Sequence, residues 1–141
     1  MIKSQLGTRS IVIAPAQITN GGTSTGYIDT AGADYVTLDI LVESTPTTNC
    51  GGLAAISVLE ATTSNGTGTT ITADATGGTG SASVKSYFID LRGHERYIQL
   101  SITGGTHADD DWECAAMATL TRQVEAPGAT TDMADTATIV S

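Results

Sequence analysis

The sequence predicts an all-β protein: a single β-sandwich or jelly roll of about seven or eight antiparallel strands with extended termini. Thr is the commonest residue, and Ala and Gly follow it. Thr favours the pleated, half-buried surface of a strand, whereas Gly supplies turns. Short apolar or alternating runs recur between turn signals, which is typical of such folds. At 141 residues, the chain can bury one core without metals or many disulfides.

The first part of the chain predicts an irregular strand and a loop. Residues 10–18 form an apolar run, and Pro15 within it predicts an edge strand or a strand with a break. Residues 20–26 are rich in Gly, Thr and Ser and predict a loop. A short extended piece is expected over residues 27–29.

The two next strands show the clearest alternation. Residues 34–43 place one apolar set on the core face, and Leu41 on the other face indicates that part of that face is covered too. Residues 53–62 predict a strand with Ile56 and Val58 inward. The predicted core set of the first of these strands is Val36, Leu38, Ile40 and Val42.

The later strands are predicted from less regular patterns. Residues 64–80 are a low-complexity stretch with a short strand expected over 69–72. Residues 112–124 predict a long last strand, and Thr content favours it over a helix at 113–120. Its predicted inner face consists of Cys114, Ala116, Ala118 and Leu120.

Residues 87–103 predict a strand, a tight turn at Gly93 and a second strand, which together form a hairpin. Ile98, Leu100 and Ile102 share one face of the second strand. Arg92, Glu95 and Arg96 surround the turn, although the chain has only six Lys and Arg residues. These three side chains either reach a partner's carboxylates or pair within the chain, with Asp90 and with one another.

Charge and composition exclude several kinds of partner. The net charge is −9 and the isoelectric point is near 4.3, so phosphate backbones and anionic membranes would repel the chain. The first residues lack the apolar core of a secretory signal, and no apolar run is long enough to span a bilayer. We therefore expect no nucleic acid or membrane partner, and synthesis in a cytoplasm.

No catalytic motif is recognisable, so we expect no enzymatic activity, no metal and no cofactor. His107 precedes Asp109, Asp110 and Asp111, but the spacing of an EF-hand is absent, and a solvated acidic turn is the expected structure. Trp112 is either a plug at the end of the sandwich or a platform for sugars, as in a carbohydrate-binding module.

The two cysteines leave two alternatives open. Cys50 and Cys114 lie far apart in the sequence and form no CxxC pair. They are either two buried thiols or one disulfide between a loop and a late strand.

Several segments resemble small virion proteins of tailed bacteriophages. The resemblance rests on residues 27–42 with their DT-G-DY corner, on 56–61, on 88–98 with their DLRG..RY motif, and on 118–122. It covers about residues 27 to 122. It implies a non-enzymatic head protein of the capsid decoration or cement type, bound to the major capsid protein on the outer shell. Proteins of this type are commonly homotrimers.

This resemblance implies a division of the chain into three parts. Residues 1–9 are expected to be an N-terminal arm, 10–124 the β-sandwich domain and 125–141 a C-terminal arm. Such arms can add a strand to a neighbouring chain. Another virion component, in the tail, connector or fibre, is the alternative. The candidate interface residues are Ile2, Leu6, Arg9, Arg92, Glu95, Arg96, Ile139 and Val140.

Overall fold

A computed structural model describes residues 6–19, 21–43, 53–75, 83–106, 112–122 and 139–140. These residues contain no helix that is long and apolar enough to cross a membrane. They form nine strands: β1 (Leu6–Ile18), β2 (Thr23–Asp29), β3 (Tyr35–Val42), β4 (Leu53–Ala61), β5 (Thr69–Ala75), β6 (Ser83–Asp90), β7 (Tyr97–Gly104), β8 (Trp112–Arg122) and β9 (Ile139–Val140).

The strands pair into two sheets, and the chain crosses from one sheet to the other at every connection except β4–β5 and β8–β9. Sheet A has the order β1-β8-β3-β6-β9, and sheet B has the order β2-β7-β4-β5. Every pairing is antiparallel except that of β9, which runs parallel to β6. Two four-stranded sheets linked in this order form a jelly roll. The predicted all-β sandwich is confirmed, and β9 is a parallel addition to it.

The core lies between the two sheets and follows the predicted alternation. In β3, Val36, Leu38 and Ile40 are fully buried, and their neighbours point outward. Sheet B supplies a matching inner row, and β8 contributes small side chains to the core. The buried residues of β4, β7 and β8 are Ile56, Val58, Ile98, Leu100, Ile102, Cys114, Ala116 and Ala118.

Strand β1 has both features that Pro15 predicted. It lies at the edge of sheet A, where an imino acid without an N–H is tolerated. Its register against β8 shifts between Ile13 and Ala16, on either side of Pro15. The strand begins at Leu6, within the segment expected to be the N-terminal arm.

The predicted loop over residues 20–26 is wrong in its second half, because β2 begins at Thr23. Thr23–Asp29 pairs along its full length with β7, and the hydroxyl oxygens of Thr23 and Thr103 lie 3.1 Å apart. The local sequence is rich in Ser, Thr and Gly, which is also typical of a loop. Its strand conformation depends on the partner strand.

The predicted hairpin over residues 87–103 is also wrong. Its two strands exist, but β6 belongs to sheet A and β7 to sheet B. The turn at Gly93 therefore carries the chain across the sandwich instead of joining two paired strands. Residues 112–122 form a strand, as predicted, and β5 extends the short strand expected at 69–72.

Gly26 lies where β1 and β2 approach each other closely. A Cβ atom on Gly26 would lie 2.0 Å from the carbonyl oxygen of Val12 and 2.8 Å from its carbonyl carbon. Gly26 is buried within β2, and the two carbonyl atoms that its Cβ would meet belong to the backbone, while Cγ1 of Val12 would also lie 2.8 Å away. Any larger residue must push the two strands apart.

We predict that Gly26→Ala lowers the free energy of unfolding by about 3 kcal/mol or more, because the backbone of β1 must move to admit the methyl group. Urea unfolding measures this. Gly7→Ala is the matched control, since its Cβ would lie 3.5 Å from the nearest side-chain atom and meet ordinary van der Waals contacts. Equal effects of the two substitutions would contradict the close approach.

Candidate functional site

Two connections between the sheets meet at one end of the sandwich. The first leads from β2 to β3 and the second from β6 to β7. Asp29 pairs with Tyr97 and Tyr35 pairs with Asp90, so the two connections begin and end side by side. This corner contains three of the candidate interface residues.

Both connections use the same D-x-x-G turn. Asp29 and Asp90 each end a strand, and each carboxylate accepts the backbone N–H two residues later, at 3.0 and 3.1 Å. Gly32 and Gly93 follow three residues after each Asp, with φ of 80° and 86°. No residue other than Gly adopts this conformation readily. The shared pattern is that of a type II turn preceded by an Asx turn.

Backbone hydrogen bonds interlock the two turns. The N–H and the hydroxyl of Thr30 both donate to the carbonyl oxygen of Arg96, at 3.0 and 2.6 Å. In return, the N–H of Leu91 donates to the carbonyl oxygen of Asp34 at 2.9 Å. Thr30 is a buried polar residue in the described part of the chain. Its hydroxyl therefore acts inside the fold rather than toward a ligand.

The two arginines of the corner form ion pairs within the chain. Arg96 donates through Nε and Nη2 to the two carboxylate oxygens of Asp29, at 2.9 and 2.7 Å. Arg92 donates to both carboxylate oxygens of Asp90. The predicted pairing of Arg92 with Asp90 is confirmed, whereas Arg96 pairs with Asp29 and not with another residue of its own turn.

These contacts set the acidity of the carboxyl groups. The side-chain hydrogen bond from Arg96, together with the N–H of Ala31, lowers the pKa of Asp29 from 3.8 to about 2. The side-chain hydrogen bond from Arg92 likewise lowers the pKa of Asp90. Both arginines remain more than half exposed, so surface ion pairs of this kind add little to stability.

A third polar contact attaches the corner to β4. The carboxylate of Glu60 accepts the N–H of Glu95 at 2.9 Å and lies 2.9 Å from Nδ1 of His94. The backbone hydrogen bond from Glu95, followed by the side-chain hydrogen bond with His94, lowers the pKa of Glu60. Glu95 thus contributes its backbone to the framework. The role of the Glu95 side chain in an interface stays a prediction.

The structure separates the remaining candidate residues from this corner. Leu6 and Arg9 lie in β1, and Arg9 is exposed. Ile139 and Val140 form β9, on the opposite edge of the same sheet. Ile2 lies outside the described residues. The predicted interface residues therefore fall at one corner and at the two edges of sheet A.

The outer face of sheet A carries an apolar stripe that the sequence did not predict. The stripe consists of Ile11, Met117, Leu41 and Val84. These are the exposed large apolar residues of the described chain, with exposures of 66, 37, 47 and 62%. The alternation already placed Leu41 opposite the core, and the same parity applies to Met117. The outward position of Ile11 could not be predicted from alternation, because β1 has a register shift just after this residue.

The described residues hold no group of three or more His, Cys, Asp or Glu side chains that could bind a metal ion. His107 and Asp109–Asp111 lie outside them, as does the side chain of Trp112, so the calcium and sugar hypotheses are not tested. Cys114 is a free, buried thiol whose pKa is raised by burial. This favours the thiol alternative over the disulfide, and Cys50 lies outside the described residues.

No protein-family model matches the chain, and no curated protein matches it. Among solved structures, it is similar to VP2 of the infectious bursal disease virus subviral particle, with 18% identity and a TM-score of 0.48 over 84% of this chain. It is also similar to a subunit of Bacillus endospore appendages, a family of disulfide-linked pili, with 17% identity and a TM-score of 0.45 over 84% of this chain and 91% of that one.

A third similar structure is that of the infectious bursal disease virus Gt strain, with 11% identity and a TM-score of 0.46 over 84% of this chain. The chain spans about a third of the length of the two viral chains, 33% and 32%.

We predict that Thr30→Val lowers the free energy of unfolding by about 1 kcal/mol, because the buried hydroxyl loses its bond to the Arg96 carbonyl while the shape is kept. Urea unfolding measures this. Thr25→Val is the matched control, since Thr25 is exposed on β2 and should change stability by less than about 0.5 kcal/mol. An unchanged stability of Thr30→Val would show that the hydroxyl does not hold the corner.

We also predict that Asp29 gives the stability of the fold a small dependence on pH in the acidic range. Folding lowers the pKa of Asp29 from 3.8 to about 2. The stability that this carboxylate adds is therefore complete above pH 3.8 and is lost as the pH falls toward about 2. The difference in urea midpoint between the native chain and Asp29→Asn should shrink over that range. It should be much smaller at every pH in an Arg96→Gln background. A difference that does not vary with pH would contradict the pairing.

Proposed function

We propose that this chain is a structural virion protein that decorates the capsid shell and stabilises it by bridging major capsid protein subunits. It would act without catalysis or a cofactor, as a homo-oligomer on the capsid surface, after assembly in the host cytoplasm. The sequence resemblance to virion proteins of tailed bacteriophages suggests this role. The structure supports it through the edges of sheet A.

The observation that carries the proposal is the addition of β9 to sheet A. Ile139 and Val140 pair in parallel with Phe88 and Ile89 on the outer edge of β6. This edge therefore accepts an extended segment through backbone hydrogen bonds, which is how strand addition joins separate chains. The same edge and the same segment can serve neighbours in a shell.

The two edges of sheet A give the protein two points of attachment. β1 forms one edge and contains the first residues described, and β9 forms the other edge and contains the last. Three strands separate the two edges, so partners at β1 and at β9 would sit on opposite sides of the domain. A domain with this arrangement can bridge two subunits.

Strand addition also suits the composition of the chain. Main-chain hydrogen bonds supply the affinity, so the arms need few large apolar side chains, and Thr, Ala and Ser suffice. Each contact would be weak alone. Many copies on one lattice act together, because each attachment raises the effective concentration of the next.

The proposal is tested by sedimenting the protein with and without empty capsids of the phage that encodes it. We expect saturable co-sedimentation at a fixed ratio to the major capsid protein and a higher melting temperature of the shell. An absence of binding to the shell, with binding to tails or glycans instead, would overturn the proposal.

A variant pair tests the role of β9. We predict that changing Ile139 and Val140 to Pro weakens shell binding at least about tenfold, because Pro removes backbone donors from the added strand. Changing the same two residues to Thr is the matched control, since Thr keeps the backbone and favours strands. Equal binding by both variants would show that β9 does not attach the protein to the shell.

A further inference from the structure

Strand β9 occupies only a small part of the edge to which it is added. Strand β6 has eight residues, and in the described part of the chain β9 pairs with two of them, Phe88 and Ile89. This pairing is parallel, and parallel pairing is slightly less stable per residue than the antiparallel pairing that joins β6 to β3. Because β9 is the outermost strand of sheet A, it can leave β6 without breaking another pair of described strands.

The edge of β6 fits the segment at each register position of β9. Ile139 pairs with Phe88 on the outer face of sheet A, where the rings of Phe88 and Tyr35 stack with their centroids 5.2 Å apart. Val140 pairs with Ile89, which is fully buried in the core. Successive residues of a strand lie on opposite faces, so one position of β9 continues the aromatic row and the next continues the core row. Two consecutive apolar residues meet both requirements.

The connection from β8 to β9 is longer than its path requires. Residues 123–138, sixteen in all, lie between Arg122 and Ile139. β9 lies three strand spacings from β8, or about 14 Å, and Ile139 is level with Thr119, about 10 Å from Arg122 along the strand direction. The direct distance is therefore about 17 Å, whereas a chain of this length spans up to about 50 Å when extended. The same segment can reach β6 of a second copy.

A segment that a second copy supplies makes the same contacts with β6 as the chain's own segment, because the two are identical. Exchange of an identical element between copies therefore costs little, and concentration decides which copy supplies it. A short linker holds its own segment at an effective concentration on the order of millimolar. We propose that β9 is exchanged between copies of this chain: it occupies its own β6 in dilute solution and the β6 of a neighbouring copy when copies are crowded.

The net charge of the chain favours exchange through a long connection over contact between whole domains. Each copy carries a net charge of −9, so two copies repel each other when their surfaces approach. The Debye length is about 8 Å at physiological ionic strength. A connection that spans up to about 50 Å lets two domains stand several Debye lengths apart. Exchange can thus join two acidic copies without bringing their surfaces together.

On the shell, copies held side by side provide the crowding that exchange needs. The β6 edge of each copy would then hold the C-terminal segment of its neighbour, and a closed set of such copies is a homo-oligomer. This role on the shell rests on the proposed function, whereas exchange in solution does not.

A shortened connection tests exchange in solution. Deleting residues 125–138 leaves two residues between Arg122 and Ile139, which span at most about 11 Å, less than the path to the chain's own β6. We expect this variant to form dimers or larger closed oligomers, measured by sedimentation equilibrium, at concentrations at which the native chain is monomeric.

The matched controls carry the same deletion. With Ile139 and Val140 also changed to Pro, the shortened chain should be monomeric, and with both changed to Thr it should associate. Association of the Pro variant would overturn the proposal, as would a shortened chain that stays monomeric at every concentration.

Disulfide trapping tests exchange in chains of native length. In a Cys50→Ser background, Phe88→Cys and Ile139→Cys chains are mixed at about 1 mM, so that the two cysteines meet in register only by exchange. We expect cross-linking at least about tenfold faster than in a mixture of Val84→Cys and Ile139→Cys chains. Val84→Cys is the matched control, since Val84 is exposed on the same face of β6, about 13 Å from Phe88.

Equal rates in the two mixtures would overturn the proposal, as would a disulfide that forms only within single chains carrying both Phe88→Cys and Ile139→Cys. No capsid is present in either experiment. Failure of exchange would therefore leave the proposed shell binding standing, and failure of shell binding would leave exchange in solution standing.

Discussion

The rest of the structure depends on the hydrogen bonds between the two connections that cross from one sheet to the other. Thr30 gives both its N–H and its hydroxyl to Arg96, and Leu91 gives its N–H to Asp34. Each bond joins residues about sixty positions apart in sequence, and each satisfies backbone groups that would otherwise be unpaired at the end of the sandwich. Neither connection can move without the other, so the corner fixes how the two inner apolar rows meet.

The ionic groups at this corner support a framework that the backbone already defines. Asp29 and Asp90 shape their turns by accepting hydrogen bonds from backbone N–H groups. The exposed arginines donate further hydrogen bonds to the same carboxylates. The motifs that carry the phage resemblance, DTAG and DLRG, are these two turns. These two motifs therefore indicate the fold, and the evidence for function lies in the faces and edges of the sheets.

Alternation of apolar residues predicted the core faces of β3, β4, β7 and β8, because burial between two sheets imposes a period of two. The hairpin error has a physical cause: a strand–turn–strand pattern looks the same whether the strands pair or lie in opposite sheets. The deciding contact, Thr30 with Arg96, is remote in sequence. The sequence indicated only part of the apolar stripe. Leu41 and Met117 follow the alternation, whereas the register shift after Ile11 means that alternation does not predict which face Ile11 occupies.

The pairing of the first long strand with the last has a consequence for how the chain folds. β8 lies between β1 and β3, and Leu6 pairs with Arg122, so the centre of sheet A forms only after almost the whole chain has been synthesised. Until then β1 and β3 have open edges that can pair with other nascent chains. We expect refolding in milliseconds to seconds, as for other proteins dominated by non-local strand pairing, and stopped-flow fluorescence would measure it. The yield of native protein should fall as concentration rises during this interval.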